Sequence, residues 1–330
     1  MTTTAVDVPR SVPFLPTGLP SAMFERTVCL ICGSARSAPF IAAEDDLTGR
    51  RGRFTFVRCR ECGLVYQTPR LAPEHVRPYY ETDYIAHQAP ARWGPLAPLF
   101  AWAMGSLDRA KVRLTRRYAD LSPGSAVLDV GCGAGTYLAS LHAATGAAVA
   151  GVDFVDLSSR PHMSVVEFHH GPFAEQEVGD ARFDLVTMWH FLEHDYDPLG
   201  SLAHARRALK PGGLLLVEVP RLDSLSFRMF GSRWPGLQAP QHTAVFDRSS
   251  LLRLVERAGF ERVAYLPKGA FPPYFYLFCG VAFRLLRGRG LNLRKAIYAY
   301  FAGQLLLLPV LPVLPHLNFA MQTVVCRRRA

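Results

Sequence analysis

Lysine is scarce in this chain, and the sequence lacks both a secretion-type start and an even set of cysteines. Only four of its 37 basic residues are lysines, at positions 111, 210, 268 and 295. The first 22 residues contain four prolines and no apolar run of signal-peptide length. The seven cysteines include two close pairs, which argues for a metal site and against a disulfide framework. These absences exclude a secreted disulfide-rich protein and predict a cytoplasmic one.

Composition excludes disordered and fibrous proteins but does not select a function. The 330 residues are 49% hydrophobic and 19% charged, which is ordinary for globular chains and leaves room for one large domain or two smaller ones. The net charge of +10 fits a nucleic acid, an anionic membrane surface or a phosphorylated substrate equally well. Charge alone therefore decides nothing.

Four cysteines form two C-x-x-C-G units separated by 26 residues, with Cys29 and Cys32 in the first and Cys59 and Cys62 in the second. Two residues between thiols let one tight turn aim both sulfurs at a single point, and the glycine after each pair permits that turn. Two such turns complete a tetrahedral thiolate site for Zn²⁺. We predict a zinc ribbon over residues 26–68 with a structural metal, because four thiolates leave no open coordination position.

Less regular segments surround the predicted ribbon. Residues 1–25 are predicted to be a disordered tail, and residues 69–120 a loop-rich connector that ends in a helix over 107–121. The aromatic residues of the connector either pack the ribbon onto the next domain or line a substrate mouth. These residues are Tyr79, Tyr80, Tyr84 and Trp93.

A glycine-rich turn opens the main domain, which is predicted over residues 121–330. The apolar stretch 126–130 predicts a buried strand, and the spacing G-x-G-x-G follows it at Gly131, Gly133 and Gly135, ahead of a helix over 136–145. A second strand ends at Asp153, whose carboxylate is suited to binding a ribose diol. A dehydrogenase is the obvious competitor, but its fingerprint has the spacing G-x-G-x-x-G.

Polar residues follow a later strand of the same domain. The strand 183–188 runs into Trp189, His190, Glu193 and His194, before a helix over 198–209 and a strand over 214–219. Ligands of open α/β sheets bind beyond the carboxyl ends of the strands, so these side chains are candidates for catalysis. The alternative is that Glu193 and His194 only cap and orient the next helix.

With these motifs in this order, the chain resembles the class I S-adenosylmethionine-dependent methyltransferases over roughly residues 121–270. The motifs are V-L-D-V-G-C-G-A-G (127–135), F-D-L-V (183–186), W-H-F-L-E-H (189–194) and L-K-P-G-G (209–213). The segments 240–242, 246 and 251–260 are similar to those of small-molecule and lipid methyltransferases related to the ubiquinone-biosynthesis enzymes. The ribbon also resembles the N-terminal domain of deoxysugar C-methyltransferases.

The resemblance implies an α/β fold, with a Rossmann-like seven-stranded methyltransferase sheet, an N-terminal zinc ribbon and a C-terminal apolar helical insertion. It implies S-adenosylmethionine as cofactor and His194 or His242 as the catalytic base. The positions that it assigns to the cofactor are Asp129, Gly131, Cys132, Gly133, Gly135, Asp153, Phe154, Phe173, Trp189 and His190.

The expected reaction is methyl transfer to an oxygen or carbon of a lipid-linked, isoprenoid or sugar-like small molecule. The Asn/Asp-Pro-Pro-Tyr/Phe tetrapeptide of many amino-group methyltransferases is absent after strand 183–188, which weighs against nitrogen acceptors. Two alternatives remain open. One is an RNA methyltransferase with a zinc ribbon, although the ribbon lacks a dense basic face and a nucleic-acid partner is not favoured. The other is a non-catalytic membrane or assembly module that retains the fold.

The C-terminal region is unusually apolar. Residues 271–316 form an apolar insertion with a basic centre, and 318–327 reads as a last strand returning antiparallel to the sheet. Because the chain must return to the same sheet, we expect a hairpin lying on the inner face of a membrane, with basic residues toward anionic headgroups. The alternatives are a lid over the active site or a dimer contact.

Overall fold

The computed structural model describes residues 16–46, 48–80, 93–95, 97–272, 274–285, 298, 303 and 320–329. Within these ranges a large sheet and two smaller ones are surrounded by helices. The strands are β1 (Phe24–Glu25), β2 (Ser37–Glu44), β3 (Arg53–Cys59), β4 (Val65–Gln67), β5 (Arg70–Leu71), β6 (Ala126–Val130), β7 (Ala148–Asp153), β8 (Val166–His170), β9 (Phe183–Trp189), β10 (Leu209–Pro220), β11 (Ala244–Val245), β12 (Phe260–Leu266) and β13 (Met321–Arg328). The helices are α1 (Pro73–Val76), α2 (Ala97–Tyr118), α3 (Thr136–Thr145), α4 (Pro198–Ala208), α5 (Leu225–Phe230), α6 (Arg248–Arg257) and α7 (Phe275–Leu285).

The large sheet has seven strands in the order β12-β13-β10-β9-β6-β7-β8. The neighbours from β10 to β8 pair in parallel, and β13 is antiparallel to both strands beside it. Strands β6 and β9 are each buried at all but one position, as is usual for parallel strands whose sheet is covered on both faces. The predicted Rossmann-like seven-stranded fold is confirmed, and the predicted return strand 318–327 is found as β13.

Helix α4, which follows the polar residues after β9, begins with its own N-cap residue. Asp197 is the N-cap of α4, and its carboxylate accepts a hydrogen bond from the Gly200 amide at 2.9 Å. Capping by Glu193 or His194, the alternative left open by the sequence, is therefore not needed to start α4.

The cysteine-bearing sheet is completed by a strand from the other end of the chain. Its order is β11-β4-β3-β2, so the edge strand β11 comes from residues 244–245 and not from the predicted ribbon at 26–68. Cys29 and Cys59 lie in the same buried core as Leu128 of β6 and Phe246. We name residues 26–68 the cysteine unit, and this unit shares a core with the large sheet.

Part of the predicted disordered tail is ordered. Thr17 forms a bridge with Arg53, and β1 pairs antiparallel with β5. Residues 1–15 lie outside the described residues. The connector helix α2 starts at Ala97, ten residues before the predicted start at 107, and ends at Tyr118. Tyr84 also lies outside the described residues.

The insertion predicted at 271–316 begins with helix α7. Gly280 allows a close crossing with α5, since a Cβ there would lie 2.4 Å from the Phe230 ring. The later part of the insertion lies largely outside the described residues. Among the helices that the structure does describe, none is both long and apolar enough to cross a membrane.

Candidate active site

Four cysteine thiols converge on one point in the cysteine unit. The Sγ atoms of Cys29 and Cys62 are 3.3 Å apart, those of Cys32 and Cys59 are 3.6 Å apart, and all four lie within 4.8 Å of one another. Zinc–thiolate bonds of about 2.3 Å in a tetrahedron would separate the sulfurs by roughly 3.8 Å. The four thiols therefore fit a closed tetrahedral zinc site.

The glycine-rich turn after β6 is held in a conformation that other residues rarely adopt. Gly131 and Gly135 have φ angles of +76° and +72°. A Cβ on Gly131 would lie 3.1 Å from the ring of Phe191, and one on Gly135 would lie 2.6 Å from Met163 Sδ. Glycine at both positions therefore lets the turn pass close to Phe191 and Met163, where a side chain would not fit.

Cys132, inside the same turn, faces the sheet. A Cβ added to Gly151 on the neighbouring strand β7 would lie 2.7 Å from Cys132 Sγ. The thiol is buried, and burial raises its pKa well above the ordinary value. Any contact of Cys132 with a cofactor would therefore come from its backbone.

Asp129, the acidic residue two positions before the turn, is buried and has a raised pKa. Asp129 is 3% exposed and accepts a hydrogen bond from Thr187 Oγ1 at 2.6 Å. Burial raises its pKa to about 7, against the opposing effects of Lys111 and the Thr187 hydrogen bond.

Asp153, at the end of β7, ties the turn to the second strand. One carboxylate oxygen accepts the Gly133 amide at 2.8 Å, and the other accepts the Val155 amide at 3.0 Å. The backbone position of Gly133 therefore depends on this side chain.

A lysine and two aromatic rings lie beside Asp129 on the other side of the turn. The Lys111 Nζ of α2 is 5.3 Å from the Trp189 ring and 5.7 Å from the Tyr137 ring. Trp189 is buried, with its ring edge-on to Tyr137 at 5.5 Å. Trp189 thus packs between α2 and α3, and its predicted contact with a cofactor stays a prediction.

The two phenylalanines predicted to flank an adenine have different surroundings. Phe154 is 46% exposed, and its ring lies 5.1 Å from that of Tyr80. Phe173 is buried and packs against His204 and Phe191. Phe154 is therefore open to a ligand, whereas Phe173 belongs to the hydrophobic core.

His190 lies between two buried carboxylates in a strained backbone conformation. Its φ is +57°, its Nδ1 is 3.4 Å from Glu193 and its Nε2 is 3.3 Å from Glu218. Burial alone would lower the pKa of His190, but the neighbouring carboxylates of Glu193 and Glu218 raise it to about 9. At neutral pH this residue is a half-buried imidazolium.

The two candidate catalytic histidines meet in one cluster. The rings of His194 and His242 are 4.5 Å apart and nearly perpendicular. The Nδ1 of His194 is 3.0 Å from the Tyr80 hydroxyl and 3.1 Å from the Gln241 carbonyl oxygen, and the Nδ1 of His242 is 2.9 Å from the Gly236 carbonyl oxygen. Burial and the neighbouring His194 lower the pKa of His242 well below the ordinary value. His242 is therefore neutral at physiological pH.

Glu193 completes this cluster. One of its carboxylate oxygens and one ring nitrogen from each of His194 and His242 lie within 4.8 Å of one another, a set that could also hold a metal ion. Glu193 is 1% exposed, and neither of its carboxylate oxygens has a hydrogen-bond partner within the described ranges. We name Glu193, His194 and His242 the acceptor cluster.

Comparisons with known proteins agree with the motifs. Residues 105–265 match the family described as the methyltransferase domain. A protein of Mycolicibacterium smegmatis named "probable S-adenosylmethionine-dependent methyltransferase" is 33% identical over 153 residues. These residues are 44% of this chain and 56% of that protein. The ubiquinone biosynthesis O-methyltransferase of Aromatoleum aromaticum is 31% identical over 159 residues, covering 43% of this chain and 67% of that protein.

A solved structure is similar to this chain at lower sequence identity. Phosphoethanolamine N-methyltransferase 2 of Haemonchus contortus, in complex with S-adenosyl-L-methionine, is 18% identical with a TM-score of 0.47, covering 68% of this chain and 53% of that one. The family model and the similarity to the A. aromaticum enzyme show that the chain belongs to the class I S-adenosylmethionine-dependent methyltransferases. It spans little more than half the length of the M. smegmatis relative.

The residues at the turn fit the cofactor of that family. Asp129 and Asp153 supply two buried carboxylates beside the turn, where a cationic amino acid and a ribose diol would each find an acceptor.

Three side chains near the site were missed from the sequence. Lys111 comes from the connector, Glu218 lies near the end of β10, and Gln67 lies in the cysteine unit. Tyr80 is one of the connector aromatics expected either to pack domains together or to line a substrate mouth, and it lies beside His194. The scarcity of lysine was a signal for Lys111. No local motif distinguishes Glu218 and Gln67, because only folding brings them to the edge of the sheet.

Proposed function

We propose that the protein transfers a methyl group from S-adenosylmethionine to an oxygen or carbon atom of a small-molecule acceptor. The observation that carries this proposal is the position of Tyr80 between the two halves of the site. Its ring contacts Phe154, the residue after Asp153, and its hydroxyl lies 3.0 Å from His194. A nucleoside held at Asp153 would therefore lie next to the acceptor cluster.

The protein's own part in this reaction is to bind, orient and remove a proton. When bound, S-adenosylmethionine supplies a methyl carbon already activated by its positive sulfur. The acceptor must give up a proton from O–H or C–H as its electron pair moves toward that carbon. We assign the proton to His194, because His194 is half-buried and reachable whereas His242 is 1% exposed behind it. His242 then supports the ring of His194.

Aromatic side chains favour an acceptor with apolar parts. The ring of Phe271, at the start of the apolar insertion, lies 5.2 Å from His190, and Phe275 and Tyr276 pack against it. An isoprenoid or lipid-linked acceptor would bury apolar surface there. The relatives named as ubiquinone biosynthesis O-methyltransferases support an oxygen acceptor.

We further propose a structural Zn²⁺ at Cys29, Cys32, Cys59 and Cys62 and a cytoplasmic location. The thiol geometry supports the metal, and the seven cysteines, all free of disulfides, support a reducing compartment. Metal analysis of purified protein should give one zinc per chain. A Cys32→Ser variant should lose that zinc and unfold at a lower temperature, whereas Cys279→Ser should keep it.

A peripheral membrane contact is supported by exposed apolar residues on α5 and α7. Leu225, Met229, Val281 and Leu285 are exposed, and Arg284 joins the two helices by donating to the Met229 carbonyl oxygen. We expect the protein to sediment with phosphatidylglycerol vesicles and less with phosphatidylcholine vesicles. Leu285→Asp should weaken this binding, and Val263→Asp, which alters an exposed apolar residue of β12, should not.

The experiment that tests the function is incubation of the protein with methyl-labelled S-adenosylmethionine and fractionated cell extract. Label should enter a lipid or small-molecule fraction, and His194→Gln should abolish the transfer. Label in RNA would instead support the RNA methyltransferase, and no label in any fraction, with intact cofactor binding, would support a non-catalytic module.

A further inference from the structure

His242 lies on a segment that has little regular structure of its own. The preceding residues, from Pro235 to Gln241, contain one short 3-10 turn, and the following strand β11 has only two residues. Yet His242 is 1% exposed, and its ring must keep its contact with His194 for the acceptor cluster to exist. Something outside the segment must therefore hold it.

The cysteine unit provides that support through Gln67. The Nε2 of Gln67 donates to the carbonyl oxygen of His242 at 2.6 Å and to that of Pro240 at 3.1 Å. The backbone amide of Gln67 also donates to the Thr243 carbonyl oxygen at 2.8 Å. Three carbonyl oxygens of the 240–243 backbone, those of Pro240, His242 and Thr243, thus accept hydrogen bonds from one residue.

The burial of Gln67 makes these bonds costly to lose. The side chain is fully buried, and its Oε1 has no hydrogen-bond partner in the part of the chain that the structure describes. An unpaired buried carbonyl oxygen is unfavourable, and the two hydrogen bonds that the Gln67 amide donates offset that cost. Without the Gln67 side chain, the carbonyl oxygens of Pro240 and His242 would lose a buried donor.

On its other side, the 240–243 segment is hydrogen-bonded to the loop that follows β9. The Thr243 amide donates to the Glu193 carbonyl oxygen at 2.7 Å, and the Thr243 hydroxyl donates to the Asp195 carbonyl oxygen at 2.6 Å. Strand β11 then pairs with β4, which begins two residues after Gly63 of the second cysteine pair. The residues 240–245 therefore connect the cysteine unit to the acceptor cluster.

We propose that Gln67 is a positioning residue that holds the 240–243 segment, and so keeps His242 against His194. The cysteine unit is then a working part of the acceptor side of the site and not a separate stabilising domain. The consequence for catalysis rests on the proposed methyl transfer, but the positioning itself does not.

The test compares two buried glutamines in the full-length protein. Gln67→Met removes the amide at nearly constant volume. Gln322→Met is the matched control, because Gln322 is also fully buried and donates through Nε2 to the carbonyl oxygens of Phe246 at 2.8 Å and Pro220 at 3.5 Å. Three quantities are measured: amide hydrogen exchange over 238–246, the ¹⁵N signals of the His242 ring, and the affinity for S-adenosylhomocysteine.

We expect Gln67→Met to speed exchange over 238–246 by at least tenfold and to shift the His242 ring signals, while affinity for S-adenosylhomocysteine changes less than twofold. Gln322→Met should leave the His242 signals unchanged. If Gln67→Met does not fold, Gln67→Asn, which withdraws the amide by one methylene, takes its place with the same expected result.

Unchanged exchange and unchanged His242 signals in the Gln67 variant would overturn the proposal. So would equal effects of the Gln67 and Gln322 variants on His242. A failure of the proposed function is recognised separately, because the wild-type protein would then transfer no methyl label to a lipid or small-molecule fraction, whatever the exchange data show.

Discussion

The two halves of the site are built in different ways. The cofactor half comes from one continuous stretch, in which β6, the glycine turn and β7 place Asp129, the turn and Asp153 together. The acceptor half is assembled from the cysteine unit, the connector, the loop after β9 and the segment around His242. A contiguous site keeps its chemistry wherever the local fold survives, whereas an assembled site can be changed by any of its contributing segments.

This comparison predicts that substitutions in the acceptor half change turnover and leave cofactor binding alone. His194→Gln should lower turnover by about 10²–10⁴-fold, the usual contribution of a general base, with affinity for S-adenosylhomocysteine unchanged. His242→Ala should lower turnover in the same direction by a smaller factor. Turnover is measured with the acceptor fraction that takes up label. Full activity of His194→Gln would remove it as the base.

Substitutions in the cofactor half should do the reverse. Asp153→Ala should weaken binding of S-adenosylhomocysteine by roughly 1–3 kcal/mol, or about 5–150-fold, since the carboxylate would bind the ribose and already holds the turn. Calorimetric titration measures this change. Asp156→Ala, three residues later in an exposed turn, is the control and should bind normally. Equal affinity of Asp153→Ala and the wild type would reject the assignment.

Between the two halves, His190 should make stability depend on pH. Its pKa of about 9 in the folded protein lies above the unfolded value of 6.5. Its contribution is therefore complete below pH 6.5 and is lost as pH rises through about 9, by on the order of 1–3 kcal/mol. Denaturant unfolding at several pH values should show this decline. His190→Gln should lack it, and a decline of the same size in that variant would show that other groups cause it.

The smallest expected effect is the pH dependence of cofactor binding. Asp129 has a pKa of about 7, raised by burial, so its ionised fraction grows between pH 6 and 8. A cationic amino group favours the ionised carboxylate, and we expect affinity for S-adenosylhomocysteine to rise over that range by up to about tenfold. In Asp129→Asn the affinity should be nearly constant with pH. A rise of equal size in the variant would assign the titration elsewhere.

The sequence predicted the elements β6, the glycine turn and β7 well because their signals are local. A buried apolar strand, glycines at fixed spacing and an acidic residue at the end of the next strand all lie within residues 126–153, and each follows from backbone geometry. The return strand β13 was equally predictable, because it contains three consecutive β-branched residues, Thr323, Val324 and Val325, in one uninterrupted run. These elements need no long-range contact to be recognised.

The acceptor half could not be assembled in the same way. Nothing near Gln67 indicates that its amide binds the backbone at 240–243, and nothing near 244–245 indicates that β11 completes the cysteine sheet. The carboxylate pair around His190 also depends on Glu218, which lies on the next strand. Such contacts are set by packing between distant segments, which periodicity and spacing do not encode.

The most direct test is a calorimetric titration of the intact protein with S-adenosylhomocysteine and, separately, with NADH. The account predicts saturable binding of one S-adenosylhomocysteine per chain and no binding of NADH. Heat from NADH alone, or from neither compound, would mean that the edge between Asp129 and Asp153 does not recognise a sulfur-bearing nucleoside.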